Sequence, residues 1–300
     1  DNDSAELTFM KDMLKHIDNR FDHLESRIGD LDRKIDYIHT QIQFGIISQK
    51  IIAVSVEFAK LYNAPHAAAV HQKQLFITNY DSDYQNSGQK LYDGIMNEHG
   101  VFTKSIGEAA MDYYQNDRGQ VQNVLLGTLK LLLQAAKLEL AYLKAKGFQP
   151  NYEVAKKDWE HKIASVRAKM IAIDNAVAQK YYAQADSDIE RFITDHTSLN
   201  NNDFSAQLYK FLVTKYFWRD WMVIVYKDIV GDDKHQQHEC DGFLKFHTHS
   251  RNIVISSVDK TKAHINVNSA QSTLLHLAET HPILILVHIE KEFYSMHMFG

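Results

Sequence analysis

Apolar residues recur at Leu7, Met10, Leu14, Ile17, Phe21, Leu24, Ile28, Leu31, Ile35, Ile38 and Ile42, and the spacings alternate three and four across five heptads. A sustained repeat of this kind predicts a coiled-coil helix over residues 5–44 with a left-handed supercoil. With Leu7 at position a, Arg20 and Arg27 fall at g, and Glu25 and Asp32 fall at e. A parallel self-pair therefore sets Arg20 against Glu25 and Arg27 against Asp32, whereas an antiparallel self-pair opposes like charges. Ile28 with Leu31 favours two strands, and Ile35 with Ile38 favours more, so dimer and trimer both stay open. The seam could equally pack inside its own chain, because a second heptad run follows at Trp159, Ile163, Val166, Met170, Ile173 and Val177.

The helical pattern continues through Ile46–Tyr62 and stops at Asn63-Ala64-Pro65, giving a helix on the order of 85 Å if it starts near residue 5. Residues 66–118 are less regular, with breaks at Tyr80–Ser87, Gly100 and Asn116–Gly119. Val121–Lys146 is apolar nearly all round, through Val121, Val124, Leu125, Leu129, Leu132 and Leu133 among others, which predicts the buried centre of a bundle. Gly147 and Pro150 should end it. One long helix is expected over 151–195, closed by the turn Asn200-Asn201-Asn202-Asp203. A helix over Ser205–Tyr216 then leads into strand-like runs at Trp221–Tyr226, Phe243–His249, Asn252–Val258, Ile265–Asn268 and Ile283–Ile289, with a short helix at Ser272–Glu279. The expected fold is mainly α: an elongated bundle of long helices with N-terminal coiled-coil heptads (residues 1–199) and a small C-terminal α+β domain (residues 203–300).

Composition sharpens this picture. Only 3 Pro and 12 Gly occur in 300 residues, so chain-breakers are scarce and long helices are favoured. The net charge of −5 supplies no basic field for nucleic acid, and none is expected as a partner. No apolar run reaches the length of a transmembrane helix, the longest stopping at Lys130. The first residue is Asp1 rather than Met, and a processed or trimmed N-terminus is expected.

Two blocks carry a family resemblance. The coil ends in Leu31-Asp32-Arg33-Lys34-Ile35-Asp36-Tyr37-Ile38-His39-Thr40, and a later block reads Lys215-Tyr216-Phe217-Trp218-Arg219-Asp220-Trp221-Met222-Val223-Ile224-Val225-Tyr226, followed by a Gly-Asp-Asp turn and the single Cys. Together they resemble the cephalotoxin-like (rapunzel) family. The resemblance implies secretion and a body like those of α-helical pore-forming toxins. Such a protein acts by homo-oligomerisation and on membrane lipid, without covalent chemistry. On that reading the Leu7–Ile42 seam is the self-association element, and the helix carrying Val121 to Leu133 is the membrane-active reserve. The alternative is a non-lytic coiled-coil interaction, storage or small-ligand carrier protein.

Candidate chemistry is sparse. His235, His238, Cys240, His247 and His249 fall within fifteen residues, and two imidazoles two apart on a strand share a face, which suits Zn²⁺. No other cofactor is expected. Arg219 and Asp220, between Trp218 and Trp221, are expected to form a structural ion pair. Aromatic clusters at Tyr113-Tyr114, Tyr181-Tyr182 and Tyr216-Phe217-Trp218 suit a core, a ligand pocket or a membrane interface. No GxSxG, P-loop or GxGxxG occurs, so no enzyme is expected.

Overall fold

The structure, a computed structural model, describes residues 38–100, 102–227, 243–262 and 287–288. The seam residues Leu7 to Ile35, and His235, His238 and Cys240, lie outside the described residues. The chain is mainly helical with a small α+β portion at its C-terminal end, as the pattern predicts. It divides into two compact units, Asp1–Ala178 and Gln179–Gly300.

In the first unit, α1 (Ile38–Tyr62) stops at the predicted Asn63-Ala64-Pro65 boundary. α2 (Ala69–Asn79) runs into a π-helical turn, Tyr80–Tyr84, which ends in two left-handed residues, Gln85 and Asn86. Three further helices follow: α3 (Ser87–Met96), α4 (Ile106–Tyr113) and α5 (Arg118–Ala145). α4 begins with a capping box in which Ser105 and Glu108 satisfy each other's backbone N–H groups. Gly147, at φ +72°, ends α5 in a Schellman cap, with the Phe148 N–H donating to the Leu143 carbonyl at 3.0 Å. Pro150 does not terminate α5. It sits in the first turn of α6 (Gln149–Gln179), where its missing N–H costs nothing. The heptad run of α6 is buried throughout, from Trp159 to Val177. A bidentate pair from Arg118 to Asp174, at 2.7 and 2.8 Å, clamps α6 onto the start of α5.

The predicted helix over 151–195 is two helices, α6 and α7 (Tyr181–Asp195), with a break at Lys180. The physical reason is a slip in the apolar stripe. Continuing the heptad past Val177 would bring Lys180, Gln184, Ser187 and Arg191 to the seam. The residues buried instead are Ala185, Ile189, Phe192 and Ile193, on a different line of the helix.

In the second unit, α7, α8 (Asn201–Lys215) and an antiparallel sheet share one core. The Asn-rich turn is the cap and first turn of α8, the Asn200 side chain accepting the Asp203 N–H at 2.8 Å. The sheet contains β1 (Arg219–Lys227), β2 (Leu244–Thr248), β3 (Arg251–Asp259) and the short β4 (Val287–His288), in the order β2-β3-β1-β4. The predicted strand at Ile265–Asn268 and the helix at Ser272–Glu279 lie outside the described residues. Trp221, Val223 and Val225 of β1, with Ile253 and Ile255 of β3, face the core shared with the helices. Strand alternation sends Arg219 and Asp220 to opposite faces. Arg219 donates to the Ser257 hydroxyl at 2.8 Å and stacks on Tyr181 at 3.7 Å, while Asp220 lies 4.0 Å from Lys260.

One buried carboxylate joins the two helices of this unit. Asp188 of α7 accepts from Lys215 Nζ at 2.5 Å, from the Tyr216 hydroxyl at 2.6 Å and from Gln184 at 3.0 Å. Asp188 and Lys215 are both buried, so removing the carboxylate strands an ammonium in the core. Asp188→Ala should destabilise this unit by about 3–5 kcal/mol, whereas Asn200→Ala, at the exposed cap of α8, should cost about 1 kcal/mol. Denaturant unfolding followed by near-ultraviolet circular dichroism checks the ranking.

Candidate functional site: the central helix and its clasp

The helix predicted as the centre of a bundle is enclosed as expected. In α5, Val121, Val124, Leu125, Leu129, Leu132 and Leu133 are at most 2% exposed. It packs against α1, α2, α3 and α4. Among the described residues no helix is long and apolar enough to cross a membrane.

α5 is not uniformly apolar. Lys130, Gln134, Lys137 and Ala141 form one narrow half-buried stripe, spaced four, three and four, and Lys144, three residues further on, is exposed. Two of these lysines rest on rings of neighbouring helices. Lys137 lies over Phe58 of α1 at 4.9 Å, and Lys144 lies over Tyr152 of α6 at 5.2 Å. The only acidic residue in α5, Glu139, sits on the opposite side. From Lys130 it is nine residues away, about half a turn round the helix.

An aromatic clasp covers Glu139. The π-helical turn lets Tyr80 and Tyr84 stack at 4.4 Å, and Tyr142 of α5 stacks on Tyr80 at 3.9 Å. The Tyr142 hydroxyl donates to Asp81 at 2.5 Å, and this bond, with burial, pushes the phenol up to about 12. The Tyr84 hydroxyl lies 3.4 Å from Glu139 Oε2 and accepts the Gly88 N–H at 3.2 Å. Gly88 is required by close approach, since a Cβ there would stand 2.4 Å from that hydroxyl and 3.0 Å from the Trp159 ring. Burial raises the Glu139 pKa above the usual carboxylate range. Lys162, the Trp159 indole and the Tyr84 hydroxyl offset this only in part. Burial likewise raises the Tyr80 and Tyr84 phenols.

A family model for the cephalotoxin-like middle helical domain matches residues 1–198. The chain belongs to the cephalotoxin-like family. Its family match ends at residue 198, just past α7 and two residues before the Asn200 cap of α8. The match therefore contains α5, its clasp and the whole N-terminal heptad repeat of this cephalotoxin-like, toxin-like chain. No curated protein and no solved structure matches it.

The other predicted site residues are dispersed. Ile38 and Ile42 fall within α1. His247 is exposed on β2, but His249 has left the strand. It occupies the two-residue β2–β3 turn with Ser250, at φ +53° and +57°, and its Nδ1 meets the Thr248 hydroxyl at 2.8 Å. The two imidazoles therefore do not share a strand face. Among the described residues no group of His, Cys, Asp or Glu could hold a metal. The aromatic pairs divide between core and surface: Tyr216 is fully buried, while Tyr113, Tyr182 and Phe217 are exposed.

The residues overlooked in the sequence are Glu139, Tyr80, Tyr84 and Tyr142. The lysines at seven-residue spacing and the Tyr pair four apart were the available signals. Because its pKa is raised on folding, ionised Glu139 costs stability above the folded pKa, and that cost disappears as pH falls below the unfolded value near 4.5. Glu139→Gln should therefore raise Tm at pH 7 and match the wild type near pH 4, as thermal unfolding across this range will show.

Proposed function

We propose that this chain is a secreted, membrane-active protein that works in the manner of α-helical pore-forming toxins, by oligomerising and rearranging helices on a bilayer without covalent chemistry. The observation that carries this reading is the character of α5. It holds a broad enclosed surface, apolar apart from Glu139, whose burial favours the neutral acid, and a single narrow lysine stripe. Enclosed by its neighbours, the apolar surface stabilises the bundle at roughly 25 cal/mol per Å². Turned outward to lipid, the same surface would be satisfied by acyl chains. The stripe Lys130, Gln134 and Lys137 would then face water in the middle of an assembly.

A lysine at the bilayer centre costs about 3 kcal/mol on insertion scales, so α5 inserts only where copies share an aqueous lumen or where the ammonium reaches the interface. This links membrane action to assembly. The Leu7–Ile42 repeat, with its parallel g-to-e charge matches, supplies the element through which copies associate. Family membership supports the same reading, and so does the lack of a resting transmembrane helix among the described residues, since the protein would reach the membrane from water.

Dye-loaded vesicles provide the test. The purified chain should release dye from vesicles of mixed neutral and anionic lipid at pH 7 or pH 5, with an initial rate that rises faster than linearly with protein concentration. An intact vesicle population at both pH values, with folded protein present, would overturn the reading.

A further inference from the structure

α1 carries two apolar faces, and among the described residues of its unit only one is covered. Phe44, Ile47, Ile51 and Val54 are buried, and Phe58 and Leu61 pack against the same core. These residues turn toward α2, α3 and α5, the helices α1 contacts. On the outside, Ile46, Ile52 and Val56 are 48%, 40% and 50% exposed.

The outer face is in phase with the N-terminal repeat. Counting on from Ile38 and Ile42 by threes and fours gives Gly45, Gln49, Ile52 and Val56. α1 is one unbroken helix from Ile38 to Tyr62, so no register shift intervenes. At about 100° per residue, positions 38, 42, 45, 49, 52 and 56 stay within about 40° of one line. Positions 44, 47, 51, 54, 58 and 61 lie within about 60° of the opposite line. Gly45, Gln49, Ile52 and Val56, the positions in phase with the repeat, therefore lie on the side of α1 opposite the residues that pack into its own core.

We infer that a second copy of this chain packs along this outer stripe, parallel and in register, as a continuation of the Leu7–Ile42 seam to Val56. A second copy is the occupant favoured by charge. The g-to-e pairs of a parallel self-pair are Arg20 with Glu25 and Arg27 with Asp32 in the repeat. Along α1 they become Gln41 with Ile46 and Ser55 with Lys60, neither of which opposes like charges, while Ser48, the g position between them, is buried in its own unit. Gln49 is the one polar side chain at an a position in this stretch, the device by which coiled coils fix register at some cost in stability. This deepens the oligomerisation half of the proposed function and rests on no part of the membrane half.

The test uses the full chain in lipid-free buffer. Sedimentation equilibrium of the wild type should give a dimer or trimer. Ile52→Lys with Val56→Lys, both at exposed positions and so compatible with an unchanged circular dichroism spectrum, should weaken that oligomer roughly a hundredfold. In a Cys240→Ser background, Gln49→Cys should form a covalent dimer on mild oxidation, because parallel in-register copies bring residue 49 of each together. A folded wild type that stays monomeric at high concentration overturns the inference and self-association with it. An oligomer that Ile28→Lys with Leu31→Lys disrupts, but that tolerates the α1 substitutions and yields no Gln49→Cys cross-link, overturns the α1 extension alone. Dye release by the same variants is scored separately, so failure of the membrane reading is distinguishable from either result.

Discussion

The first unit is organised by the need to enclose a helix that is apolar around most of its circumference. A surface helix needs one neighbour to cover its stripe; α5 needs neighbours on nearly every side. Its fully buried leucines and valines set the arrangement of α1, α2, α3 and α4 around it, and Arg118 fixes α6 through Asp174. Polar groups on α5 are each accommodated locally. Lys137 and Lys144 lie against aromatic rings, the buried Thr128 hydroxyl donates to the Val124 carbonyl, and Glu139 lies beneath the tyrosine clasp. Each arrangement satisfies a polar group without opening the apolar surface to water.

That enclosure gives α1 a double role. Its inner face completes the wall around α5, and its outer face carries Ile52 and Val56 exposed among the described residues. The two lie on opposite sides of one continuous helix, so assembly through the outer line need not disturb the inner one. The proposed assembly through the outer line leaves the enclosure of α5 intact, and the proposed membrane step is the one that opens it.

Much of this was legible from periodicity. The stripe from Trp159 to Val177, the all-round apolar character of α5 and the helix ends at Pro65 and Gly147 follow from residue spacing and from two chain-breakers. The break at Lys180 was legible only as a slip in the apolar line, because no Gly or Pro marks it. The clasp was not legible, since it depends on a π-helical turn and on contacts between residues about 60 apart in sequence. His249 misled for a related reason. Two non-glycine residues with positive φ form the hairpin turn where a strand had been expected, against the usual preference for Asn-Gly. The outer line of α1 was hidden because its two apolar faces are interleaved in sequence, and burial alone separates them.

The proposed membrane action requires α5 to exchange its protein surroundings for lipid. A photoactivatable carbene probe confined to the bilayer core tests this directly when the full chain is mixed with vesicles and the labelled peptides are mapped. Label is expected on the apolar side chains between Val121 and Leu140, absent without vesicles and absent from the Lys130, Gln134 and Lys137 stripe. Labelling confined to other segments, under conditions where the protein releases vesicle contents, would contradict it.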